Sequence, residues 1–422
     1  MIKKSTPAAR IKNFFRLLGP GLITGASDDD PSGIATYSQA GAGFGLSTLW
    51  TALVTFPLMA SIQGMCARIG LITQSGLART LRRHYPKSIL YTMLALSFPA
   101  IVLNIGADVE AMGAVSNMLL PAVPGYVFSV FFTALLLYVI IKYPYDKIAR
   151  ILKWLCLAVL VYIVVAFMLK PHWGLVLKNT FVPAIHFNKD YLSILVAILG
   201  TTISPYLFFW QATMEAEDST HHAARVIIDK QVLSAMRKDV NTGMFFSIVV
   251  MYFIMLTTGV VLYNAGMHKI DTVAEAAEAL KPLAGKGAYL LFAIGVLGTG
   301  FLAIPVLGGS LSYIMAETFG WEKGLDKKFG EAKPFYSTII VSLLVGLLLH
   351  FTGISPMKAL LYTAILYGLT APVMIAIILH ICNNKKVMAE YTNNVLQNVL
   401  GFITLILMTA AAVALIWMQL KN

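Results

Sequence analysis

Asp28-Asp29-Asp30-Pro31-Ser32-Gly33 interrupts the first long apolar stretch of the chain, Leu17–Ala42, with three consecutive carboxylates and a helix breaker. A carboxylate near the centre of a bilayer costs about 3 kcal/mol on insertion scales, so acids inside a span mark a site facing a cavity or a partner charge. A second interruption, Ser204-Pro205-Tyr206, falls in the apolar stretch Leu192–Gln211, again with proline at the break. Two broken helices in corresponding halves of a membrane chain point to a transport site between them.

The composition agrees with a membrane setting. Of 422 residues, 58% are hydrophobic and 12% charged, which leaves almost no segment suited to water. A span needs about 20 predominantly apolar residues. By that measure the chain is an all-α polytopic membrane protein of eleven transmembrane helices: Leu17–Ala42, Leu46–Met65, Ile89–Met112, Tyr126–Lys142, Leu152–Leu169, Leu192–Gln211, Met244–Tyr263, Ala288–Ser312, Tyr336–Leu349, Ala359–Ile381 and Leu396–Met418.

A net charge of +12 would suit nucleic acid, but the placement of the basic residues decides otherwise. With a cytoplasmic N-terminus, 24 of the 32 Lys and Arg residues fall in inner loops and 8 in outer ones. That is the positive-inside bias of a cell-membrane protein. The inner set includes Lys3, Lys4, Arg10, Lys12 and Arg16, then Arg79, Arg82, Arg83 and Lys87, then Lys142, Lys147, Arg150 and Lys153. An odd number of spans then places the C-terminus outside. No cleavable signal is expected, because the first apolar segment carries the acidic triplet instead of a small-residue cleavage site. Cys66, Cys156 and Cys382 stand alone and suit helix packing. They have neither zinc spacing nor an even count.

The second half begins at the sixth span, so each half of five spans opens with its broken helix. An odd number of spans per half inverts the second half relative to the first, a 5+5 inverted repeat. The expected division is a cytoplasmic segment 1–16, a first repeat 17–185, a second repeat 186–382, and an eleventh helix with the C-terminus at 383–422. The small residues Gly295, Gly298, Gly300 and Gly308-Gly309-Ser310 allow close helix contact.

At a helix break the last carbonyls and the next amides lose their internal partners and become available to a ligand. Asp30 precedes proline, which disfavours helical geometry at Asp30 itself. Its carboxylate, the freed carbonyls, and Thr201, Thr202 and Ser204 at the facing break offer only oxygen. Neither break contains Met, Cys or His, although the chain has 19 methionines. Oxygen donors suit hard divalent cations such as Mg²⁺, Ca²⁺ or Mn²⁺.

Several tracts carry a family resemblance across nearly the whole chain. Gly19-Pro20-Gly21, Asp30-Pro31, Ala35-Thr36 and Gln39-Ala40-Gly41-Ala42 resemble the first helix of the Nramp family of divalent-metal transporters. Ile69-Gly70-Leu71-Ile72-Thr73, with Leu77-Ala78 and His84-Tyr85-Pro86, resembles the end of its second helix and the following loop. Glu110-Ala111-Met112-Gly113-Ala114 resembles its third helix, and Gly200-Thr201-Thr202-Ile203-Ser204-Pro205-Tyr206 sits where its sixth-helix motif belongs. The resemblance implies the leucine-transporter-type fold of the APC superfamily, with helices one and six broken around a metal site.

Carried over residue by residue, the resemblance makes Asp30 the metal-binding carboxylate and the Thr201 carbonyl a ligand. Gly33 stands where the family's Asp-Pro-Gly-Asn motif has its ligating Asn. Ser204 replaces the Met of its Met-Pro-His motif, and Tyr206 the His. An acid expected one turn before Glu110 is replaced by Ala107, with Asp108 displaced to a different face, and the ninth span holds no Arg or Lys. In these departures the chain resembles the Nramp-related magnesium transporter branch, for which transport of Mg²⁺ and Mn²⁺ without proton coupling is implied.

The expected metal site is therefore Asp30, Thr201, Ser204, Asp29 and Gly33, with Asp28, Glu110, Tyr206 and Gln211 along the substrate route. Mg²⁺ usually keeps several waters and is held by one or two carboxylates. Losing the Asn and Met side chains makes room for a partly hydrated ion. Glu215, Glu217 and Asp218 read as a solvated loop. The expected function is transport of hard divalent cations by alternating access, with the ion as substrate, the lipid bilayer as surroundings, and no cofactor, nucleic acid or obligate protein partner. A proton-coupled Mn²⁺ or Fe²⁺ importer of the same family is the first alternative. An organic-solute transporter on the same scaffold is the second, although Asp28–Asp30 would repel an organic carboxylate. No Ser–His, Cys–His or His-Glu-x-x-His arrangement suggests an enzyme.

Overall fold

A computed structural model describes residues 19–144, 147, 157–221 and 229–421, and every regular element among them is helical. Lys3, Lys4, Arg10, Lys12, Arg16, Arg150, Lys153, Cys156 and His222 lie outside the described residues.

The first expected span is two helices, α1 (Pro20–Asp28) and α2 (Pro31–Phe44). At 9 and 14 residues, neither half reaches across a bilayer alone. Next come α3 (Trp50–Thr73), the short α4 (Leu77–His84), α5 (Lys87–Leu119) and α6 (Gly125–Lys142). The described part of the fifth span is a 3₁₀ turn, Leu157–Leu160, running into α7 (Val161–Met168), and α8 (Trp173–Phe181) follows. The sixth span is broken as expected, into α9 (Lys189–Thr202) and α10 (Pro205–His221). The chain continues through α11 (Lys230–Thr258), α12 (Ala288–Phe319), α13 (Lys333–Leu347), α14 (Pro356–Asn383) and α15 (Val395–Leu420).

Among the described residues, nine helical stretches are long and apolar enough to cross a membrane, counting Lys189–Ser219 as one across its break. The broken first span and the partly described fifth account for the other two expected crossings. Burial sorts the spans into layers. The apolar window of Lys189–Ser219 is 89% buried, whereas those of Gly125–Lys142 and Val395–Leu420 are 28% and 33% buried. Helices apolar all round can face lipid on one side and protein on the other. The sixth span is thus the centre of the bundle, and α6 and α15 are its rim.

Close backbone approach seats α1 in this centre. A Cβ at Gly25 would lie 2.2 Å from the Gly243 carbonyl oxygen of α11, and one at Gly243 would lie 2.0 Å from the Gly21 oxygen. Asp239 secures the start of α1 by accepting from the amides of Gly19 at 2.9 Å and Gly21 at 2.6 Å. Anchored at its N-terminus and along its face, α1 delivers its C-terminal carbonyls to the middle of the molecule.

Candidate metal site

Both breaks have the same local cause. Pro31 and Pro205 lack an amide hydrogen and sit at the first position of α2 and α10, where none is needed. Asp30 is extended, with φ −70° and ψ 172°, and its Oδ1 caps α2 by accepting from the Gly33 amide at 2.7 Å. Asp29 (φ −82°, ψ 52°) and Ile203 (φ −112°, ψ 57°) close α1 and α9 in non-helical geometry. Two helix C-termini, each with carbonyls free of internal partners, therefore converge. Their partial negative charge favours a cation.

The acidic triplet divides between two neighbours. Ser247 of α11 donates to Asp28 Oδ2 at 2.7 Å and lies 3.3 Å from Asp29 Oδ1, so one hydroxyl holds both side chains. Asp30 turns the other way, where Asn104 Nδ2 of α5 donates to its Oδ2 at 2.9 Å. The three residues are at most 2% exposed, and Asp28 Oδ1 and Asp29 Oδ2 have no hydrogen-bond partner.

The sixth-span residues face the same gap. A Cβ at Gly33 would lie 3.3 Å from the Asp28 carbonyl oxygen and 3.5 Å from Thr201 Oγ1. Gly33 thus stands between the end of α1 and the end of α9. The Ser204 hydroxyl donates to the Thr201 carbonyl at 2.5 Å and lies 3.2 Å from the Gly200 carbonyl, capping the broken helix from below. Its lone pairs, and the second lone pair of the Thr201 carbonyl, stay available to a ligand. The Tyr206 hydroxyl donates to the Ser27 carbonyl at 3.0 Å, tying α10 to α1 under the break. Further along, the Thr24 hydroxyl donates to Gln211 Oε1 at 2.6 Å, and Gln211 Nε2 reaches Glu215 Oε2 at 3.3 Å.

The structure sets Gly33 between the Asp28 carbonyl and Thr201, places Asp30 at the start of α2, turns the Asp28 and Asp29 side chains to Ser247, closes Ser204 onto the end of α9, and bonds Tyr206 to Ser27 and Gln211 to Thr24. Glu110 goes elsewhere: its Oε1 is 3.1 Å from Nδ1 of His350, beyond the end of α13. Glu215 and Glu217 are not a solvated loop. Both lie on α10, Glu215 buried and Glu217 accepting from the Tyr313 hydroxyl at 2.9 Å. Sequence reasoning missed Asn104, and it set Asp108 apart. The two are one helical turn from each other, so both face α2, while Glu110, two residues beyond Asp108, points about 200° away. Asp108 is fully buried beside Asp30. The spacing of Asn104 and Asp108 was visible in the sequence, but the rotation of α5 that aims it was not.

The chain matches the family description "Natural resistance-associated macrophage protein-like" over residues 21–418, nearly its whole length. The chain belongs to the Nramp family. Among Nramp relatives it is 24% identical over 417 residues to the divalent metal cation transporter MntH of Caldanaerobacter subterraneus subsp. tengcongensis, covering 98% of this chain and 95% of that protein. It is 25% identical over 302 residues to MntH of Mesorhizobium japonicum, covering 68% of this chain and 64% of the relative. In fold it is similar to the Eremococcus coleocola manganese transporter, with a TM-score of 0.74 at 18% identity over 98% of this chain and 89% of that one. It is similar at greater distance to Mhp1, a nucleobase-cation-symport-1 family transporter, with a TM-score of 0.55 at 14% identity over 96% and 93% of the two chains. The leucine-transporter-type fold expected of an Nramp chain is therefore present, with its first and sixth helices broken.

Proposed function

We propose that this Nramp protein is a cell-membrane transporter, with a cytoplasmic N-terminus, that moves Mg²⁺ and Mn²⁺ as partly hydrated ions by alternating access without obligatory proton coupling. The observation that carries the reading is the donor set at the paired breaks. The two breaks carry carboxylate, carbonyl and hydroxyl oxygens, and positions 33 and 204 are glycine and serine. Neither break segment carries a thioether to reward a transition metal over an alkaline-earth ion. Among the described residues no three His, Cys, Asp or Glu side chains draw together tightly enough to hold a metal ion. A Mg²⁺ ion that keeps several waters needs only one or two direct carboxylates. The acids and the carbonyl ends of the two helices would repel an organic carboxylate.

A proton-coupled importer is the second reading, and one contact favours it. Glu110, which matches the Glu of the family's third helix, forms a titratable pair with His350 at 3.1 Å. Proteoliposomes loaded with a Mg²⁺-sensitive dye or a pH dye separate the two. Mg²⁺ entry without acidification, lost in Asp30→Ala, is the expected result. Acidification that tracks metal entry mole for mole would establish the coupled reading instead.

A further inference from the structure

We infer that Asp108 is a second carboxylate of the ion site, facing the ion's water shell from the α5 side while Asp30 faces it from the helix break. The inference rests on the divalent-cation reading above and adds to it a residue at a position that the family motif does not supply. Asp108 is 0% exposed, and neither of its oxygens has a hydrogen-bond partner. It lies beside Asp30 and approaches the Ser32 amide at the start of α2 without closing a well-aligned hydrogen bond. One turn earlier, Asn104 spends its amide hydrogens on Asp30 and leaves its own Oδ1 buried and unpartnered. Three buried α5 oxygens, one turn apart on the side of the helix that meets Asp30, are thus left without a partner.

A buried carboxylate stays ionised only when something compensates its charge. None of the ion pairs among the described residues involves Asp28, Asp29, Asp30 or Asp108. A helix-capping role is the plain competitor, since α2 begins here and its amides attract carboxylates. Asp30 already takes the Gly33 amide at 2.7 Å, which leaves Asp108 only the Ser32 amide, with which it closes no well-aligned hydrogen bond. An ion that keeps its waters is wide enough to span acids on two helices, because water donates to a carboxylate that stands too far away to bind the metal directly.

The two roles separate on one substitution. Asn caps a helix as well as Asp does, so Asp108→Asn preserves a capping contact and deletes only the charge. In the full-length purified protein, calorimetric titration with MgCl₂ and with MnCl₂ is expected to show at least a ten-fold rise in Kd for Mg²⁺ in Asp108→Asn. Melting of the metal-free variant should stay within a few degrees of wild type. Kd values within two-fold of wild type for both ions overturn the inference and leave the divalent-cation reading intact. Wild-type protein that binds neither ion defeats that reading and the inference together. Should Asp108→Asn not remain monodisperse, Asp108→Glu keeps the charge and lengthens the arm. A shift of at least three-fold in its preference between Mg²⁺ and Mn²⁺ is expected, and an unchanged preference with unchanged affinity overturns the assignment.

Discussion

Gly33 has ordinary helical backbone geometry within α2, so nothing in its conformation demands glycine. What it provides is room. A Cβ there would already sit 3.3 Å from the Asp28 carbonyl oxygen and 3.3 Å from the Tyr37 ring, and a longer side chain would extend into the space beside Thr201. Gly33→Asn is therefore expected to displace water from the ion and add one amide ligand in its place. Mg²⁺ dehydrates more reluctantly than larger divalent ions. In competition uptake into proteoliposomes, the variant should lose Mg²⁺ transport several-fold while Mn²⁺ transport persists. Equal retention of both ions would show that the glycine makes no room for hydration water. At this scale the sequence was most informative where a residue type is costly: three acids and a proline in an apolar run have few explanations. It was least informative for Asn104 and His350, because an amide within a helix and a histidine after one are ordinary until the fold sets them against Asp30 and Glu110.

Both helix breaks and the existence of the long spans were legible, since proline and apolar length act locally, whereas the helices run on past the apolar stretches, as Lys230–Tyr263 does beyond the expected Met244–Tyr263. The contacts that hold the elements in register were not legible, because they join residues far apart in the chain, from 74 positions for Asn104 and Asp30 to 241 for Gly76 and Glu317. Glu317, near the end of α12, is the clearest example. Its carboxylate accepts from the Gly76 amide at 3.1 Å and the Arg79 amide at 2.9 Å, capping α4 from another helix, and it is also paired with Lys323. No residue of α4 itself caps that helix through its side chain. The loop after the second span, recognisable from Leu77-Ala78 and His84-Tyr85-Pro86, is thus fixed to the body of the protein through one buried acid. Glu317→Ala leaves two amides without a partner, at a cost of about 1–3 kcal/mol for a buried donor. The expected outcome is a lower melting temperature and faster proteolysis between residues 74 and 86, with the Kd for metal little changed. A variant that melts and resists protease like wild type would show that α4 is held by its apolar face alone.

Over the whole molecule, net charge and topology bear on which way an ion moves. Asp30, Thr201 and Ser204 are each at most 2% exposed, so on the proposed reading an ion held by them reaches either side only after the helices around it move. The Asp28–Asp30 carboxylates and the helix ends stay with the protein, so the transported charge is that of the ion when no proton accompanies it. The membrane potential is worth about 2.3 kcal/mol per elementary charge per 100 mV, which gives about 4.6 kcal/mol for a divalent ion. That is roughly three decades in the equilibrium ratio of inside to outside concentration. Proteoliposomes clamped by a potassium diffusion potential, negative inside, should therefore accumulate Mg²⁺ far above the bath, and reversing the potential should empty them. Import coupled to one proton would steepen the dependence by half again and would respond to a pH gradient at zero potential. Exchange for two protons would remove the dependence on potential altogether. Accumulation that follows the potential with a slope of two charges and ignores the pH gradient is the outcome expected of uncoupled transport, and a slope of zero or three would exclude it.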